Sequence, residues 1–209
     1  MVAALTFLVM GALPAKAATT AGLWHMDESS GQAIDSSGMG NNGTLENVTR
    51  VAPGFDGTGR AYSFNGASSR VVIPNSSSLN PGALNVTVTA HVKFTVIPPA
   101  SVGDYDLVRK GSGIYKMEIM STGQALCRFA GSTSTRSIKN GPNLADGRWH
   151  TIVCQKMSSN ITLTVDGSSF TKTGSVGSIS SGAKLFFGAK PNGEDRYNGI
   201  LDEVTIVFG

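Results

Sequence analysis

The chain has 209 residues, of which 15% are charged, and its formal net charge at pH 7 is +3, from 17 Lys and Arg against 14 Asp and Glu. A positive charge this small and this scattered excludes nucleic-acid binding through a clustered basic stripe. Gly, Ser, Thr and Asn abound and no long amphipathic helical stretch occurs. This composition is typical of an all-β extracellular domain with many turns.

The first 17 residues predict a secretion signal, with no part in the fold. Residues 2–13 are almost wholly apolar but too short to span a bilayer, and Ala15, Lys16 and Ala17 fit a small-residue cleavage site. The positively charged start of a typical signal is missing. We therefore expect a truncated signal at 1–17, one domain at 18–209, a secreted protein, and no membrane span in the mature chain.

Alternating apolar residues predict a series of strands separated by turns. The clearest is 86–94, where Val86, Val88, Ala90, Val92 and Phe94 point inward. The same alternation over 161–165 runs into Asp166-Gly167, a hairpin signal. Further strands are predicted at 62–64, 70–73, 114–120, 125–130, 150–156 and 184–189, and loops at 29–43 and 131–141. The sequence thus predicts two stacked antiparallel sheets.

The closing strand contains an acid at a position where an apolar residue is expected. Alternation over 199–208 places Ile200, Asp202, Val204, Ile206 and Phe208 on one face, which is the predicted core face because four of the five are apolar. Burying an ionised carboxylate without a partner costs several kcal/mol or more. An arginine such as Arg60 or Arg70, a set of backbone N–H groups, or a metal ion could neutralise it.

Cys127 and Cys154 both fall in predicted strands. Outside the cell, an even pair of cysteines is typical of one disulfide. Two free buried thiols are the alternative, and a metal site is disfavoured because no third or fourth ligand is near either cysteine in the sequence.

Four ordered stretches together resemble the LamG-like, concanavalin A-like jelly-roll family of secreted bacterial proteins. They are LWHMDESSG at 23–31 with 35–38 and 42–45, AYSFNG at 61–66 with 71–74, DGRWHTI at 146–152 with 165–167, and NGILDEV at 198–204. The resemblance spans residues 22–208. The chain departs from the family pattern at Met26, where an aromatic residue is common, and at Asn65, where Asp is common.

The resemblance implies a two-sheet antiparallel jelly roll whose two chain ends lie side by side, which brings Asp27 near Asp202. Many members of the superfamily hold a calcium ion there, and Ca²⁺ takes six to eight oxygen ligands from carboxylates and carbonyls. On this basis the predicted ligands are Asp27, Asp202 and carbonyls around Asn65 and Gly66, with a structural role for the ion. Capping of Asp202 by backbone N–H groups, or pairing with an arginine, remains the alternative.

Catalysis is not predicted. The Glu-x-Asp-x-x-Glu strand of the superfamily's glucanases is absent, and Glu118 stands alone between Lys116 and Met120 on its own strand face. None of the three histidines falls in a recognisable catalytic or zinc-binding pattern.

Recognition of a polysaccharide or glycoprotein surface is the commonest task of this fold and is the function we expect. Trp24 and Trp149 lie in motifs expected to pack in the core, so neither is a good sugar platform. The candidate ligand-binding residues are Tyr105, flanked by Asp104 and Asp106, together with Asp195, Tyr197 and Asn198 in a polar loop. A structural or adhesive module that binds protein or assembles with itself is the alternative function, and a merely solvated loop is the alternative for these residues.

Overall fold

Residues 17–209, which a computed structural model describes, form fifteen β-strands and one short 3-10 turn at Ser77–Leu79. The predicted signal at 1–17 therefore lies, apart from Ala17, outside the described residues. The strands are β1 Thr19–Trp24, β2 Thr44–Glu46, β3 Thr49–Val51, β4 Ala61–Asn65, β5 Arg70–Ile73, β6 Val86–Lys93, β7 Asp104–Lys110, β8 Tyr115–Met120, β9 Ala125–Ala130, β10 Thr135–Asn140, β11 His150–Lys156, β12 Asn160–Val165, β13 Ser168–Thr173, β14 Leu185–Phe187 and β15 Asn198–Phe208. Within this part of the chain, no helix has the length and apolarity that a membrane crossing requires.

The strands make two antiparallel sheets that stack as a sandwich, which confirms the predicted all-β jelly roll. The eight-stranded sheet runs β13-β12-β11-β6-β15-β4-β3, and β1 also pairs with β15. The seven-stranded sheet runs β10-β9-β8-β7-β14-β5-β2. Strand β15 pairs with β6 on one side, and on the other side with β4 over its first residues and with β1 over its last. The two ends of the described chain are thus neighbours in one sheet.

The core lies between the sheets and follows the predicted alternation where one strand face is buried. All five inward residues predicted for β6 and the residue after it, from Val86 to Phe94, are at most 3% exposed. In β12 the predicted set Ile161, Leu163 and Val165 is buried as well, and Asp166 and Gly167 form the hairpin turn with positive φ angles of 47° and 83°. Period-two burial therefore identified these strands correctly.

Several strands are not among those predicted from the sequence: β1, β2, β3, β7, β10 and β13. Strand β10, Thr135–Asn140, lies inside the segment predicted as a loop, because its side chains are mostly polar and largely exposed at the edge of the sheet. Strand β7, Asp104–Lys110, was missed because its charged residues hide the apolar signal, although six of its seven residues are buried.

A disulfide joins the two sheets. Cys127 in β9 of the seven-stranded sheet is bonded to Cys154 in β11 of the eight-stranded sheet, with Cα atoms 5.4 Å apart. The predicted pairing is confirmed, and the alternatives of free thiols or a metal site are excluded.

Reduction of this bond is expected to lower the free energy of unfolding by about 3.5 kcal/mol, the loop-entropy value for a bridge that spans 27 residues. Urea denaturation with and without a reducing agent measures the loss. A Cys127→Ser/Cys154→Ser variant is the control, because the reducing agent should no longer change its midpoint. An identical midpoint for the oxidised and reduced wild type would contradict the prediction.

Candidate functional site

Strand β15 changes face at Asp202. Its pairing with β6 is interrupted by a bulge between Asp202 and Thr205, where Glu203 has a positive φ of 48°. Leu201 and Val204 are both fully buried in the core, although strict alternation would place them on opposite faces. The extra residue of the bulge therefore reverses the side-chain pattern along the strand.

The bulge corrects two sequence predictions. Ile200 is half-buried, whereas Leu201 takes the core position that the sequence pattern assigned to Ile200. Asp202 stands opposite His91 of β6, whose neighbour Val92 faces the core, so Asp202 and His91 share the outer face of the eight-stranded sheet. The prediction that Asp202 points into the core was wrong, because alternation alone does not reveal a bulge.

Asp202 is nevertheless buried, because residues 52–60, here called the covering loop, lie over it. This loop joins β3 to β4. The Phe55 ring stacks on the His91 ring with centroids 3.7 Å apart and meets the edge of Trp149 at 5.8 Å. Asp202 is left 3% exposed. Trp24 lies in the core as predicted, whereas Trp149 is half-buried in this outer cluster.

Backbone N–H groups satisfy the Asp202 carboxylate. Its Oδ2 accepts a hydrogen bond of 2.7 Å from Phe55 N, and its Oδ1 accepts one of 3.0 Å from Glu203 N. Burial raises the pKa of Asp202 to about 6, against the lowering effect of these two bonds, and the charges of Glu203 and Asp27 raise it further. Among the described residues no arginine pairs with Asp202, and Arg70 instead binds Glu46 at 2.7 Å.

Asp27 fastens the other end of the covering loop. Its Oδ1 accepts a hydrogen bond of 2.7 Å from Arg60 N. Around Gly54, oxygen atoms converge: a Cβ added there would lie 2.8 Å from each of Thr58 O, Arg60 O and Asp202 Oδ2. One carboxylate and two carbonyls thus converge at Gly54, and Asp27, which lies against Gly59, is near enough for its charge to raise the pKa of Asp202. An all-oxygen donor set of this kind fits a hard cation such as Ca²⁺.

The structure does not bring Asn65 and Gly66 to this region. In the ladder between β4 and β15, Asn65 stands opposite Asn198, while Tyr62 stands opposite Leu201. Asn65 is therefore four residues along the strand from the position beside Asp202, which is about 13 Å at about 3.3 Å per residue. Its Oδ1 accepts the N–H groups of the turn that follows, at residues 67–69.

Asn65 and Gly66 lie instead at a groove on the end of the sandwich, between residues 94–103, here called the apolar loop, and residues 188–197, here called the polar loop. The groove has a volume of about 590 Å³. It brings together three of the four predicted ligand-binding residues. The polar and aromatic side chains that line it include Asn65, Tyr105, Lys190, Asp195, Arg196 and Asn198.

Neither tyrosine is an exposed platform for a sugar ring. Tyr197 is fully buried, donates its hydroxyl to Ile200 O at 3.1 Å, and packs against the rings of Phe64 and Phe94. Its prediction as a ligand-binding residue was wrong, because it is the core anchor of the polar loop. Tyr105 lies in β7, not in a loop, and is only 6% exposed, so it offers just an edge to the groove.

A cluster of acids lies beneath the groove. Carboxylate oxygens of Asp104, Asp106 and Asp195 all lie within 4.8 Å of one another. Asp106 N also donates to Asp195 O at 2.9 Å, so the polar loop is fastened to β7 at this point. Asp104 and Asp106 do not lie in a solvated loop around Tyr105, because both belong to β7 and Asp106 is fully buried.

Basic side chains balance these acids in part. Lys190 contacts Asp195, and Arg109 Nη1 binds Asp106 at 2.9 Å. Burial raises the pKa of Asp106 to about 7, assisted by the charge of Glu118 and opposed by Arg109. Burial likewise raises the pKa of Asp104 to about 7, assisted by its hydrogen bond with Asp195.

Glu118 is not isolated in space. It stands opposite Asp106 across the ladder between β7 and β8, a pairing that no single-strand motif can reveal. Arg109 Nη1 lies 4.0 Å from Glu118 Oε1, and Lys116 contacts the same oxygen. Glu118 is only 2% exposed, and Asp106 does not reach the surface. The two carboxylates therefore belong to a buried ion network, whereas a glycosidase needs both carboxyl groups in contact with the substrate.

The raised pKa values predict a stability that falls as pH rises from about 4 to 7. The folded chain keeps protons on Asp104 and Asp106 up to about pH 7, while the unfolded chain loses them near pH 4, so the folded state binds more protons in between. We expect a higher Tm at pH 5 than at pH 8. Asp106→Asn should narrow that gap by roughly 3 °C or more.

Thermal unfolding of both proteins in the presence of a chelator measures the effect. Asp56→Asn is the control, because Asp56 is exposed and its pKa is lowered by hydrogen bonds with Thr58, so its titration lies below this window. If the difference in Tm between pH 5 and pH 8 is as large in Asp106→Asn as in the wild type, the raised pKa assigned to Asp106 is wrong.

The comparisons with known proteins agree with this architecture. Among solved structures, similar folds include the binding domain of Paraclostridial Mosquitocidal Protein 1 (18% identity, TM-score 0.71) and the binding domain of botulinum neurotoxin serotype G (15%, 0.69). A third belongs to botulinum neurotoxin type C, whose cell entry depends on interaction with two ganglioside molecules (13%, 0.68). Each alignment covers 90% of this chain and 47–48% of the other, so the chain spans about half the length of these structures.

At these identities the likeness concerns the fold. No curated protein matches the chain by sequence. The family model of the concanavalin A-like lectin/glucanases superfamily, a laminin G-like model, matches residues 65–207, which is more than half of the chain. The chain therefore belongs to the concanavalin A-like lectin/glucanase superfamily.

Proposed function

We propose that the protein is a secreted, non-catalytic module that binds a carbohydrate or a glycoconjugate in the groove between the apolar and polar loops. The observation that carries the proposal is the groove itself, an open cleft at the end of a rigid sandwich with polar side chains directed to one place. The sheet-joining disulfide supports secretion, since such bonds persist in oxidising surroundings.

Free hydrogen-bonding groups give the groove its chemistry. Among the described residues, no hydrogen bond engages the side chains of Ser101, Arg196 or Asn198, and Arg196 Nη1 is buried without a partner. These side chains can turn toward a ligand without breaking an existing bond. Sugar hydroxyls, which donate and accept, match a hydroxyl, a guanidinium and an amide.

The missing aromatic platform limits affinity. Since Tyr197 is in the core and Tyr105 shows only an edge, recognition rests on hydrogen bonds exchanged with water, each of modest net value. We therefore expect binding in the millimolar range, of the kind that gains strength when several sites are engaged together. Solved structures of similar fold support the choice of ligand, since one concerns interaction with two ganglioside molecules and another is the binding domain of botulinum neurotoxin DC in complex with SialylT.

Binding is expected to depend on Arg196 and Asn198. Replacing either residue with Ala should weaken binding about tenfold or more, because each removes donors that face the groove. Lys139→Ala is the control, an exposed basic residue on β10, at the far edge of the seven-stranded sheet. A glycan array identifies the sugar class, and calorimetry then measures the variants. Silence of the wild type on every glycan would favour the alternative, a protein-binding or adhesive module.

We also propose that a calcium ion binds between Asp27 and Asp202, with carbonyl ligands from Thr58 and Arg60. The convergence of oxygens at Gly54 supports this site, and Asn65 and Gly66 are left out of it. Ionised Asp27 and Asp202 repel each other, and a divalent cation would relieve that repulsion. When bound, the ion would supply positive charge that holds the covering loop to the sheet.

Calcium should raise the Tm at neutral pH by roughly 5 °C or more at saturation, since a concentration one hundred times Kd stabilises by about 2.7 kcal/mol. Asp27→Asn and Asp202→Asn should each abolish most of this rise while keeping an oxygen acceptor for the loop N–H groups. Asn65→Ala is the matched control and should keep it. The site is wrong if calcium and chelator leave the wild-type Tm equal, or if Asn65→Ala removes the rise.

A further inference from the structure

The apolar loop exposes an unusual amount of aliphatic surface. Six large hydrophobic side chains of the described residues are exposed, and three belong to this one loop: Val96 at 49%, Ile97 at 38% and Val102 at 45%. Of the others, Ile34 and Met39 lie in the segment between β1 and β2, and Met157 follows β11. A cluster of exposed apolar residues in one place marks a contact with a protein or a membrane, whereas single ones need no explanation.

Backbone hydrogen bonds hold the loop in shape. Val102 N and Gly103 N both donate to Pro99 O at 2.9 Å, which closes a turn at its tip. At its base, Tyr105 donates its hydroxyl to Ile97 O at 3.4 Å, and Pro98 is buried. The aliphatic side chains are thus presented by an ordered segment, so little conformational entropy remains to be lost on docking.

Basic side chains that form no ion pair lie near the loop. Gly147 N donates to Phe94 O at 3.0 Å, which places exposed Arg148 beside the base of the loop, and Lys93 directly precedes it. Arg196 lies across the groove. Among the described residues, none of these three side chains has a carboxylate within ion-pair distance, and Glu194 is the one exposed acid lining the groove.

We propose that the apolar loop docks into the surface of an anionic lipid bilayer, with Val96 and Ile97 at the boundary between headgroups and acyl chains and the basic groups near the headgroups. This inference rests on the proposed function in one respect. If the groove binds a sugar, docking of the loop places the groove where the sugar of a glycolipid would lie. Exposed aliphatic side chains on one ordered loop, beside basic residues, suit an interfacial position.

A bilayer is favoured over a protein partner because of the residue types. Protein interfaces draw most of their energy from aromatic and arginine anchors in fitted pockets. Here the exposed side chains are Val and Ile, which any hydrocarbon surface accepts. A few aliphatic side chains alone give weak, reversible attachment, so the electrostatic attraction of anionic lipid is needed as a second contribution.

Cosedimentation of the full chain with vesicles tests the proposal. We expect binding to phosphatidylcholine vesicles that contain phosphatidylserine to be about tenfold stronger than to phosphatidylcholine alone, and to weaken as salt is added. A Val96→Asp/Ile97→Asp variant should lose at least tenfold. Met157→Asp is the matched control: Met157 is 38% exposed, as is Ile97, but follows the far end of β11, and this variant should bind as the wild type does.

The proposal is overturned if the wild type does not cosediment with vesicles that contain phosphatidylserine. It is also overturned if the Val96→Asp/Ile97→Asp variant binds these vesicles as well as the wild type does. Circular dichroism and the Tm of both variants establish that they are folded. The vesicles carry no sugar and the glycan array carries no lipid, so failure of the docking loop and failure of the sugar-binding groove give separate results.

Discussion

The carboxylate of Asp202, held beneath the covering loop, is the constraint around which the eight-stranded sheet is arranged. Its two oxygens accept hydrogen bonds from the N–H groups of Phe55 and Glu203, so the bulge in β15 is joined to the covering loop. At the same bulge the neighbour of β15 changes from β4 to β1. Asp27, just beyond β1, holds the end of the loop. Two acids, one near each end of the described chain, thus hold the same loop.

Few side chains of this protein are charged, yet several of those few are buried, and each lies beside a specific partner. Lys156 donates to two backbone carbonyls, and Lys110 to Asn75 Oδ1 and a carbonyl. Asp106 and Glu118 share Arg109. Such partners offset desolvation but make the sites sensitive to protonation, because a carboxyl with a raised pKa lies close to losing or gaining its charge near neutral pH. The acids under the groove therefore link stability to pH more strongly than the exposed ones.

Sequence patterns predicted those parts of the fold in which one strand face is buried and the other solvated. Strand β6 is of this kind, and its inward residues follow from alternation alone. In strand β15, alternation assigned the wrong face to Asp202, because one extra residue in a bulge reverses the side-chain pattern along the strand. Strand β7 was not predicted because several of its buried residues are charged, and their partners lie on other strands and loops that the local sequence does not show. Tyr197 looked like a rim residue for the same reason: its buried contacts come from strands distant in sequence.

The sequence predicts only part of each candidate site. Family resemblance brought Asp27 and Asp202 together, but the ladder between β4 and β15 assigns Asn65 to the groove instead. That ladder also separates the roles of the two sites. Asn65 and Asn198 face each other at its first step, so strand pairing fixes their spacing at the groove whether or not the covering loop is closed. An ion at Asp202 would act four residues further along β15, on the attachment of the loop. We therefore expect the cation to govern stability, while ligand choice depends on the side chains of the polar loop and on the surface at which the groove is presented.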